Sequence, residues 1–313
     1  MINIDLLRSK DSKAIASLIN RNVDKSELDK IREFDTKRRK LIEKIDLLRS
    51  KRNTTSKELS KMKIKPQNII EDMRLLGQEI KEEEKDLAKI NEQLKSSILS
   101  IPNIPSEDIP VGENEDLNEV IFSEKYQADN NFTPLPHWDI GTRLNLIDFE
   151  RGVKLSGSRF YILKNKAAQL QRALANWMLD NHLNNDYEEY YVPNLVKESV
   201  VEGAGQLPKF RDTMFSDQES DLWLIPTAEV PITNIYANEI VSADNLPIKI
   251  VAQTSCFRNE KAAAGKDTRG IKRVHQFEKV ELYQFVEPEK SNETLESMLN
   301  TCVSLCKKLG LTY

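Results

Sequence analysis

Apolar side chains recur at intervals of three and four residues through most of the first hundred positions. After Ser26 the seam comprises Ile31, Phe34, Arg38, Leu41, Ile45, Leu48, Arg52, Thr55, Leu59 and Met62. It restarts after Pro66 with Ile69, Met73, Leu76, Ile80, Glu83, Leu87, Ile90 and Leu94. This heptad spacing predicts two long helices that pack seam against seam as an antiparallel coiled-coil hairpin, here called the arm.

The arm is predicted to be long and separate from the rest of the chain. Pro66 suits the first turn of a second helix, and a first helix over residues 26–64 would be roughly 58 Å long. Prolines at 102, 105 and 110 then end the helical pattern and predict a stiff linker. We therefore expect a helical domain over 1–100 with its hairpin at 26–100, a linker over 101–116 and a body over 117–313.

The body has a different pattern. A helical spacing over 165–182 gives way to a short apolar and aromatic run at 187–193, and further strand-like runs follow at 222–226 and 248–252. Strands and helices do not alternate regularly, which favours an α+β fold with an antiparallel sheet and flanking helices.

Composition limits the classes of function. The chain has 313 residues and a formal net charge of −4, so any nucleic-acid site must be a local basic patch. Three cysteines are too few for a disulfide scaffold, and Cys302 and Cys306 have no His nearby in sequence. Small buried side chains are therefore favoured over a metal site, and no zinc is expected. With no signal-peptide pattern and no membrane-length apolar run, the cytoplasm is the expected compartment.

The two predicted helices of the arm differ in charge. Residues 26–65 carry 14 Lys and Arg against 7 Asp and Glu, whereas 66–100 carry 5 against 8. A charged face on a coiled coil is often merely solvated. A basic helix on an extended arm is equally suited to follow a phosphate backbone.

The stretch 256–285 contains the most informative polar residues. If it forms two strands joined by a basic loop at 261–272, Arg258 shares a face with Glu260, and Arg273 shares a face with Phe277 and Glu281. By the same spacing, Thr227 and Glu229 would share the face of another strand. Exposed cross-strand ion pairs are one explanation of such a surface, but they leave the interleaved aromatic residue unexplained.

A nucleotide and an amino acid together would match these side chains. An Arg fork suits phosphate oxygens, an aromatic ring suits a base, and an ionised Glu accepts hydrogen bonds from an ammonium or a hydroxyl group. The loop lacks the glycine spacing of a P-loop, so Arg side chains would have to hold the phosphates.

Several stretches resemble class II aminoacyl-tRNA synthetases, specifically the bacterial-type seryl-tRNA synthetases. The second signature motif of that family is similar to Phe257-Arg258-Asn259-Glu260, Arg269-Gly270, Arg273-Val274-His275-Gln276-Phe277 and Glu281. The family's serine-binding TxE motif is similar to 226–230, and 136–138 and 154–160 also look like the family. The arm resembles the family's tRNA-binding arm, so the resemblance covers almost the whole chain.

The resemblance implies a serine–tRNA ligase that activates serine with ATP and transfers it to tRNA. Arg258 and Glu260 would be the catalytic residues, and no side chain of the body is needed as a general base. The implied ATP-binding residues are Arg258, Asn259, Glu260, Arg273, Val274 and Phe277. The implied serine-binding residues are Thr227, Ala228, Glu229, Arg258 and Glu281. The expected tRNA contacts are Arg38, Arg39, Lys40, Lys266 and Arg269.

The same resemblance implies the partners. They are tRNA(Ser) and tRNA(Sec), L-serine, and ATP with Mg²⁺, together with a second copy of the chain held through the 165–193 region. No bound protein metal and no membrane are expected.

One departure from the family pattern leaves an alternative open. The family continues with a glycine-rich third motif that carries an Arg for the ATP γ-phosphate, and nothing before Tyr313 fits that motif. We therefore expect this chain to be a C-terminally truncated seryl-tRNA synthetase. The alternative is a non-catalytic RNA-binding paralogue of a synthetase, against which the presence of Arg258, Glu260, Phe277 and Glu281 argues.

Overall fold

The computed structural model of the chain describes residues 2–9, 13–63, 66–125, 132–260 and 269–313. The chain divides into two compact units, Met1–Val120 and Ile121–Tyr313. Within the described ranges, no helix combines the length and the apolar character needed to cross a membrane.

The first unit begins with two short helices, α1 (Ile4–Arg8) and α2 (Lys13–Asn20), followed by two long ones, α3 (Lys25–Lys61) and α4 (Gln67–Ser100). Ile31, near the start of α3, shares an apolar cluster with Leu94, near the end of α4. The two long helices are therefore antiparallel, and the predicted arm is confirmed. With 37 residues, α3 is about 56 Å long.

Burial along the arm follows the predicted seam. Every predicted seam position from Ile31 to Leu59 is buried or half-buried, as is every one from Ile69 to Leu94. Only Met62, which lies just beyond α3, is exposed. The spacing of the apolar residues thus defines the contact between the helices, because residues three and four apart lie on one face of a helix.

The two short helices at the base of the arm were not predicted from the sequence. Leu7 of α1 and Leu18 of α2 are fully buried in the same cluster as Leu28 of α3. Helices of five and eight residues are too short to be stable alone or to show a clear repeat. Packing against α3 and α4 is what forms them.

Among its described residues, the second unit contains three small sheets and six α-helices. Its strands are β1 (Ile147–Asp148), β2 (Ile162–Leu163), β3 (Glu188–Glu189), β4 (Leu195–Lys197), β5 (Leu222–Leu224), β6 (Ile248–Phe257) and β7 (Gln276–Phe285). Its helices are α5 (His137–Arg143), α6 (Phe149–Ser156), α7 (Asn165–Leu183), α8 (Glu198–Gly203), α9 (Glu229–Thr233) and α10 (Ser291–Lys308). The α+β fold class predicted from the sequence is confirmed.

The long antiparallel hairpin of β6 and β7 is the centre of this unit. On one face, Ala252 of β6 packs with Ala228 and with Ile232 of α9. On the other face, Val251 of β6 packs with Leu179 of α7. Because both faces are covered, consecutive residues of β6 are buried, and the strand shows an apolar run instead of an alternation.

Three details of the predicted sheet were wrong. The run at 187–193 forms only the two-residue strand β3, which pairs parallel to β6 and not antiparallel. The strand predicted at 222–226 ends at Leu224. The strand predicted at 248–252 extends to Phe257, because every residue of β6 finds a partner in β7.

Candidate functional site

The register of the hairpin places three polar or aromatic residues on one face. Phe277 lies opposite Cys256, Lys279 opposite Thr254 and Glu281 opposite Ala252. Since alternate residues of a strand share a face, these three side chains lie on the side of the hairpin that α9 covers.

A cavity of about 380 Å³ opens beside this face. It is lined by predicted site residues: Thr227, Glu229, Arg258, Asn259 and Glu260. Pro226, Lys279 and a group from 206–214 complete the lining. Lys279 and the group from 206–214 were not predicted. Lys279 could have been found, because it lies midway between Phe277 and Glu281 and two residues from each.

Thr227 and Glu281 are 54 positions apart in sequence and in direct contact in the structure. The Thr227 hydroxyl donates to Oε2 of Glu281 and accepts from Nζ of Lys279 at 3.0 Å. The backbone N–H of Glu229 lies 3.3 Å from the same hydroxyl. Thr227 is buried and Ala228 is fully buried, whereas Glu229 is exposed.

The interpretation of Thr227 and Glu229 as residues of one strand face was wrong. The chain leaves the strand after Leu224, and Glu229 is the first residue of α9. The hydroxyl of Thr227 accepts from the N–H of Glu229 two residues further on, as Ser and Thr hydroxyls do in turns. The turn, not a strand, brings both residues to the cavity.

Arg258 follows directly after β6 and is held from two sides. Its guanidinium carbon lies 5.0 Å from the centre of the Phe277 ring, a cation–π contact. Its backbone N–H donates to the carbonyl of His275 at 2.9 Å, and its own carbonyl lies 2.9 Å from Nδ1 of His275. The His275 ring also contacts Phe160 and Phe215. His275 therefore supports the backbone that carries Arg258.

Glu260 forms an ion pair with Arg273 at the loop end of the hairpin, where Arg273 Nη1 lies 3.2 Å from Glu260 Oε2. The prediction that Arg273 shares a strand face with Phe277 and Glu281 was wrong, because β7 begins only at Gln276. Similarly, Arg258 and Glu260 lie beyond the end of β6. The ladder of strand hydrogen bonds ends here, and an ion pair continues the contact between the two segments.

Two stretches outside the hairpin contact this loop end. Nη1 of Arg159 donates to the backbone carbonyl of Glu260, and Nε2 of His137 accepts from the N–H of Ile271 at 2.9 Å. Gly270 precedes Ile271 with φ of +83°, and a Cβ there would lie 2.1 Å from His137 Nε2. The segments 136–138 and 154–160 thus help to shape the site.

The remaining predicted ATP-binding residues lie close to the cavity without lining it. Val274 is buried, with 5% of its surface exposed. Phe277 lines a neighbouring cavity of about 300 Å³ together with Phe160 and Tyr161. Burial raises the pKa of the Tyr161 phenol, and the nearby Glu278 raises it further.

Burial shifts the pKa of two titratable groups near the hairpin, Cys256 and His182. Burial raises the pKa of the Cys256 thiol, which keeps it protonated and unreactive. Burial also lowers the pKa of His182, because it disfavours the charged imidazolium. Among the residues that the structure describes, no three His, Cys, Asp or Glu side chains are grouped so as to hold a metal ion.

The predicted tRNA contacts differ in accessibility. On α3, Arg39 and Lys40 are exposed, whereas Arg38 lies half-buried in the seam. Arg39 Nε lies 3.1 Å from Asp35 Oδ2. Arg269 is exposed, and Lys266 lies outside the described residues.

Asp35 organises the base of the arm. The carboxylate is 1% exposed and accepts two hydrogen bonds from Arg8 of α1, at 2.9 Å and 3.0 Å. These hydrogen bonds hold the pKa of Asp35 below its usual value, against the opposing effect of burial. The ion pair therefore ties α1 to α3.

Comparisons with known proteins agree with both units. Residues 1–105 match the seryl-tRNA synthetase N-terminal domain. Residues 210–313 match the tRNA synthetase class II core domain of the G, H, P, S and T enzymes.

Two similar whole proteins are serine–tRNA ligases. The serine–tRNA ligase of Roseiflexus sp. strain RS-1 is 46% identical over 315 residues, covering 100% of this chain and 74% of that protein. The serine–tRNA ligase of Dehalococcoides mccartyi strain BAV1 is 43% identical over the whole chain and 74% of its own length.

The crystal structure of seryl-tRNA synthetase from Pyrococcus horikoshii, complexed with ATP, is similar at a TM-score of 0.89 and 31% identity. It covers 100% of this chain and 76% of that one. The crystal structure of the cytoplasmic enzyme of Naegleria fowleri, in complex with AMP, has a TM-score of 0.80 at 27% identity and covers 99% and 71%. Both domain families match this chain, and serine–tRNA ligases align with its whole length. The chain therefore belongs to the seryl-tRNA synthetase family, the serine–tRNA ligases.

Proposed function

We propose that the cavity beside the β6–β7 hairpin binds serine and ATP and joins them as seryl-adenylate, before the seryl group passes to tRNA(Ser). The observation that carries this proposal is that Thr227, which contacts Glu281, lines the same cavity as Glu229 and Arg258. Acceptors for an amino acid and a cation for a phosphate thus lie at one cavity.

The serine end is formed by Thr227, Ala228, Glu229 and Glu281. Glu229 is exposed to the cavity, and its carboxylate suits the ammonium group of the substrate. Glu281 lies deeper, with 17% of its side chain exposed. Because Ala228 is fully buried, it would contribute through its backbone.

The ATP end is formed by Arg258, Asn259, Glu260, Arg273, Val274 and Phe277. Arg258 would bind the α-phosphate and also contact the serine carboxylate, since its guanidinium can donate to both. Glu260 would accept a hydrogen bond from the amino group of adenine, with Phe277 stacking against the base. The ATP and AMP complexes of the two similar structures support a nucleotide in this fold.

The chemistry follows from placing these groups together. A serine carboxylate oxygen attacks the α-phosphorus, the bond from that phosphorus to the bridging oxygen breaks, and pyrophosphate leaves. The carboxylate is already ionised, so this step needs no general base. Arg258 stabilises the negative charge that develops at the α-phosphate, and catalysis rests on positioning and electrostatics. A ribose hydroxyl at the 3′ end of tRNA then takes the seryl group, and AMP leaves.

Magnesium would enter with the nucleotide. Mg²⁺ usually retains several water ligands and binds through one or two carboxylates together with substrate phosphates. The absence of a group of three potential ligands from the described residues is compatible with that mode of binding. The ion would offset charge on the phosphates, whereas the residues named above bind and orient the two substrates.

The arm, which we place in a helical domain over 1–100 with a linker over 101–116, would bind tRNA. Arg39 and Lys40 on α3 are accessible to a phosphate backbone, and Arg269 would contact the acceptor end. We extend the proposal to tRNA(Sec), to a homodimer through the 165–193 region, and to the cytoplasm, where free cysteines such as Cys256 stay reduced. Leu179 of α7 packs against the hairpin, and exposed residues of α7 such as Leu170 would face a second copy.

The test is serine-dependent exchange between ATP and labelled pyrophosphate in a protein that also carries the family's third motif, followed by aminoacylation of tRNA(Ser). We expect exchange with serine and little with alanine or threonine. Full tRNA binding without any exchange would instead support the non-catalytic paralogue. The similarity of the whole chain to ligases disfavours that alternative.

A further inference from the structure

Lys279 is a cation of β7 that lies beside the groups proposed to hold serine. It stands on β7 between Phe277 and Glu281 and lines the cavity. Its ammonium group forms an ion pair with Oε2 of Glu281 and donates to the hydroxyl of Thr227 at 3.0 Å. About a third of its side chain is exposed, 32%, so it is partly shielded from water.

These contacts use the hydrogen-bonding capacity of Thr227 completely. A hydroxyl group has one hydrogen to donate and two lone pairs to accept. The hydrogen goes to Glu281, and the lone pairs receive Lys279 and the N–H of Glu229. Thr227 therefore acts as a link that orients its neighbours, and Oε2 of Glu281 is occupied from two sides.

The ion pair also gives the two carboxylates, Glu229 and Glu281, different electrostatic surroundings. The charge of Glu281 is balanced by Lys279, whereas within the described residues the Glu229 carboxylate forms no ion pair. A substrate ammonium placed at Glu281 would meet the like charge of Lys279. The same ammonium at Glu229 would meet an uncompensated anion.

We propose that Lys279 is a specificity-determining residue: it neutralises and orients Glu281, so that Glu281 accepts the serine hydroxyl and leaves the ammonium to Glu229. This inference rests on the proposed function of the cavity. It assigns the two polar ends of the substrate to different carboxylates, which the residue types alone leave open. Lys279 itself need not touch serine, since it acts through Glu281.

The experiment compares Lys279→Met, which removes the charge and keeps most of the side-chain length, with Lys279→Arg, which keeps the charge. The readouts are KM and kcat for serine in pyrophosphate exchange, serine binding by calorimetry, and inhibition by L-2,3-diaminopropionate, which has an ammonium in place of the hydroxyl. Lys249→Met is the matched control. Lys249 lies on the same hairpin but on its opposite face, above the ring of Tyr187.

We expect Lys279→Met to raise KM for serine about tenfold or more, the effect typical of a disturbed hydrogen bond to a charged group, with a smaller change in kcat. Its inhibition by L-2,3-diaminopropionate, relative to serine, should strengthen by about the same factor, because Glu281 regains its net charge. Lys279→Arg should recover most of the serine affinity, and Lys249→Met should behave like the unmodified protein.

The possible failures are distinct. If the unmodified protein neither binds serine nor supports exchange, the proposed function is overturned and the role of Lys279 with it. If the unmodified protein is active and Lys279→Met retains both its serine KM and its rejection of the diamino analogue, only the role of Lys279 is overturned. A loss of serine binding without any gain for the analogue would also contradict the charge argument.

Discussion

The guanidinium carbon of Arg258 lies 5.0 Å from the centre of the Phe277 ring, with the two residues on neighbouring segments of the hairpin. A contact of this kind is worth about 0.5–1 kcal/mol where it is exposed. It holds a long and otherwise mobile side chain in one orientation and leaves the N–H groups of the fork free to donate. The arginine proposed for the α-phosphate is thus positioned before ATP arrives.

Replacing Arg258 with Ala should nearly abolish serine-dependent pyrophosphate exchange. Loss of one preoriented donor to a developing charge typically costs about 3 kcal/mol in the transition state, which is more than a hundredfold in rate. Arg258→Lys should recover only part of the rate, because an ammonium cannot bind bidentately. Arg74→Ala, which removes an exposed ion pair on α4, serves as the control. Exchange within a few-fold of normal in Arg258→Ala would rule out the assignment.

Reversing charge on the arm should weaken tRNA binding without affecting serine activation. In the double variant Arg39→Glu and Lys40→Glu, the slope of log affinity against log salt should become shallower by about one unit for each lost phosphate contact. Lys81→Glu with Lys85→Glu, on the more acidic α4, is the matched control. An unchanged slope in the α3 variant would mean that these side chains are merely solvated.

The Asp35–Arg8 pair should make the stability of the arm depend on pH. The pKa of Asp35 is lowered from 3.8, chiefly by its hydrogen bonds to Arg8, so the unfolded chain binds a proton more readily than the folded one. The stabilisation is complete above the unfolded pKa and is lost as pH falls through the folded one. Urea unfolding followed by circular dichroism between pH 6 and pH 2, about the range that spans Asp titration, measures it.

The Asp35→Asn variant distinguishes the contribution of Asp35 to the pH dependence from the contributions of other carboxyl groups. The change leaves the Arg8 guanidinium without its charged acceptor and should lower the unfolding free energy at neutral pH by about 1–3 kcal/mol. The variant should also lose part of the acid-dependent slope. An identical slope in both proteins would show that other carboxylates account for the pH dependence.

Gly270→Ala should impair activation by moving the segment that leads into β7. The residue has φ of +83°, and an added Cβ would meet the His137 ring that accepts the Ile271 N–H. Small misplacements of this kind can lower kcat/KM about tenfold or more. Gly157→Ala is the control for backbone strain alone, because Gly157 has φ of +90° with open space around it. Equal activity of the two variants would indicate that the His137 contact is dispensable.

The arm was predictable because its structure depends on local periodicity. A repeat of three and four residues places one stripe of side chains on each helix, and two such helices joined by a short turn can bury their stripes only against each other. The bounds of α3 and α4 therefore lie close to those predicted. The short helices α1 and α2 have too few residues for a repeat, and tertiary contacts such as those with Leu28 and Ile31 stabilise them.

The sequence alone determined which residue types meet at the hairpin: Arg258, Phe277 and Glu281 were identified from strand spacing and from the resemblance to a known family. Tertiary structure decided how they meet. It ended β6 before Arg258 and began β7 after Arg273, it placed Thr227 on a turn against Glu281, and it brought Lys279 between them. Spacing along a strand assigns a side chain to a face. Spacing does not say which distant segment packs on that face. That choice depends on contacts such as the one between Thr227 and Glu281, 54 positions apart, which no local pattern encodes.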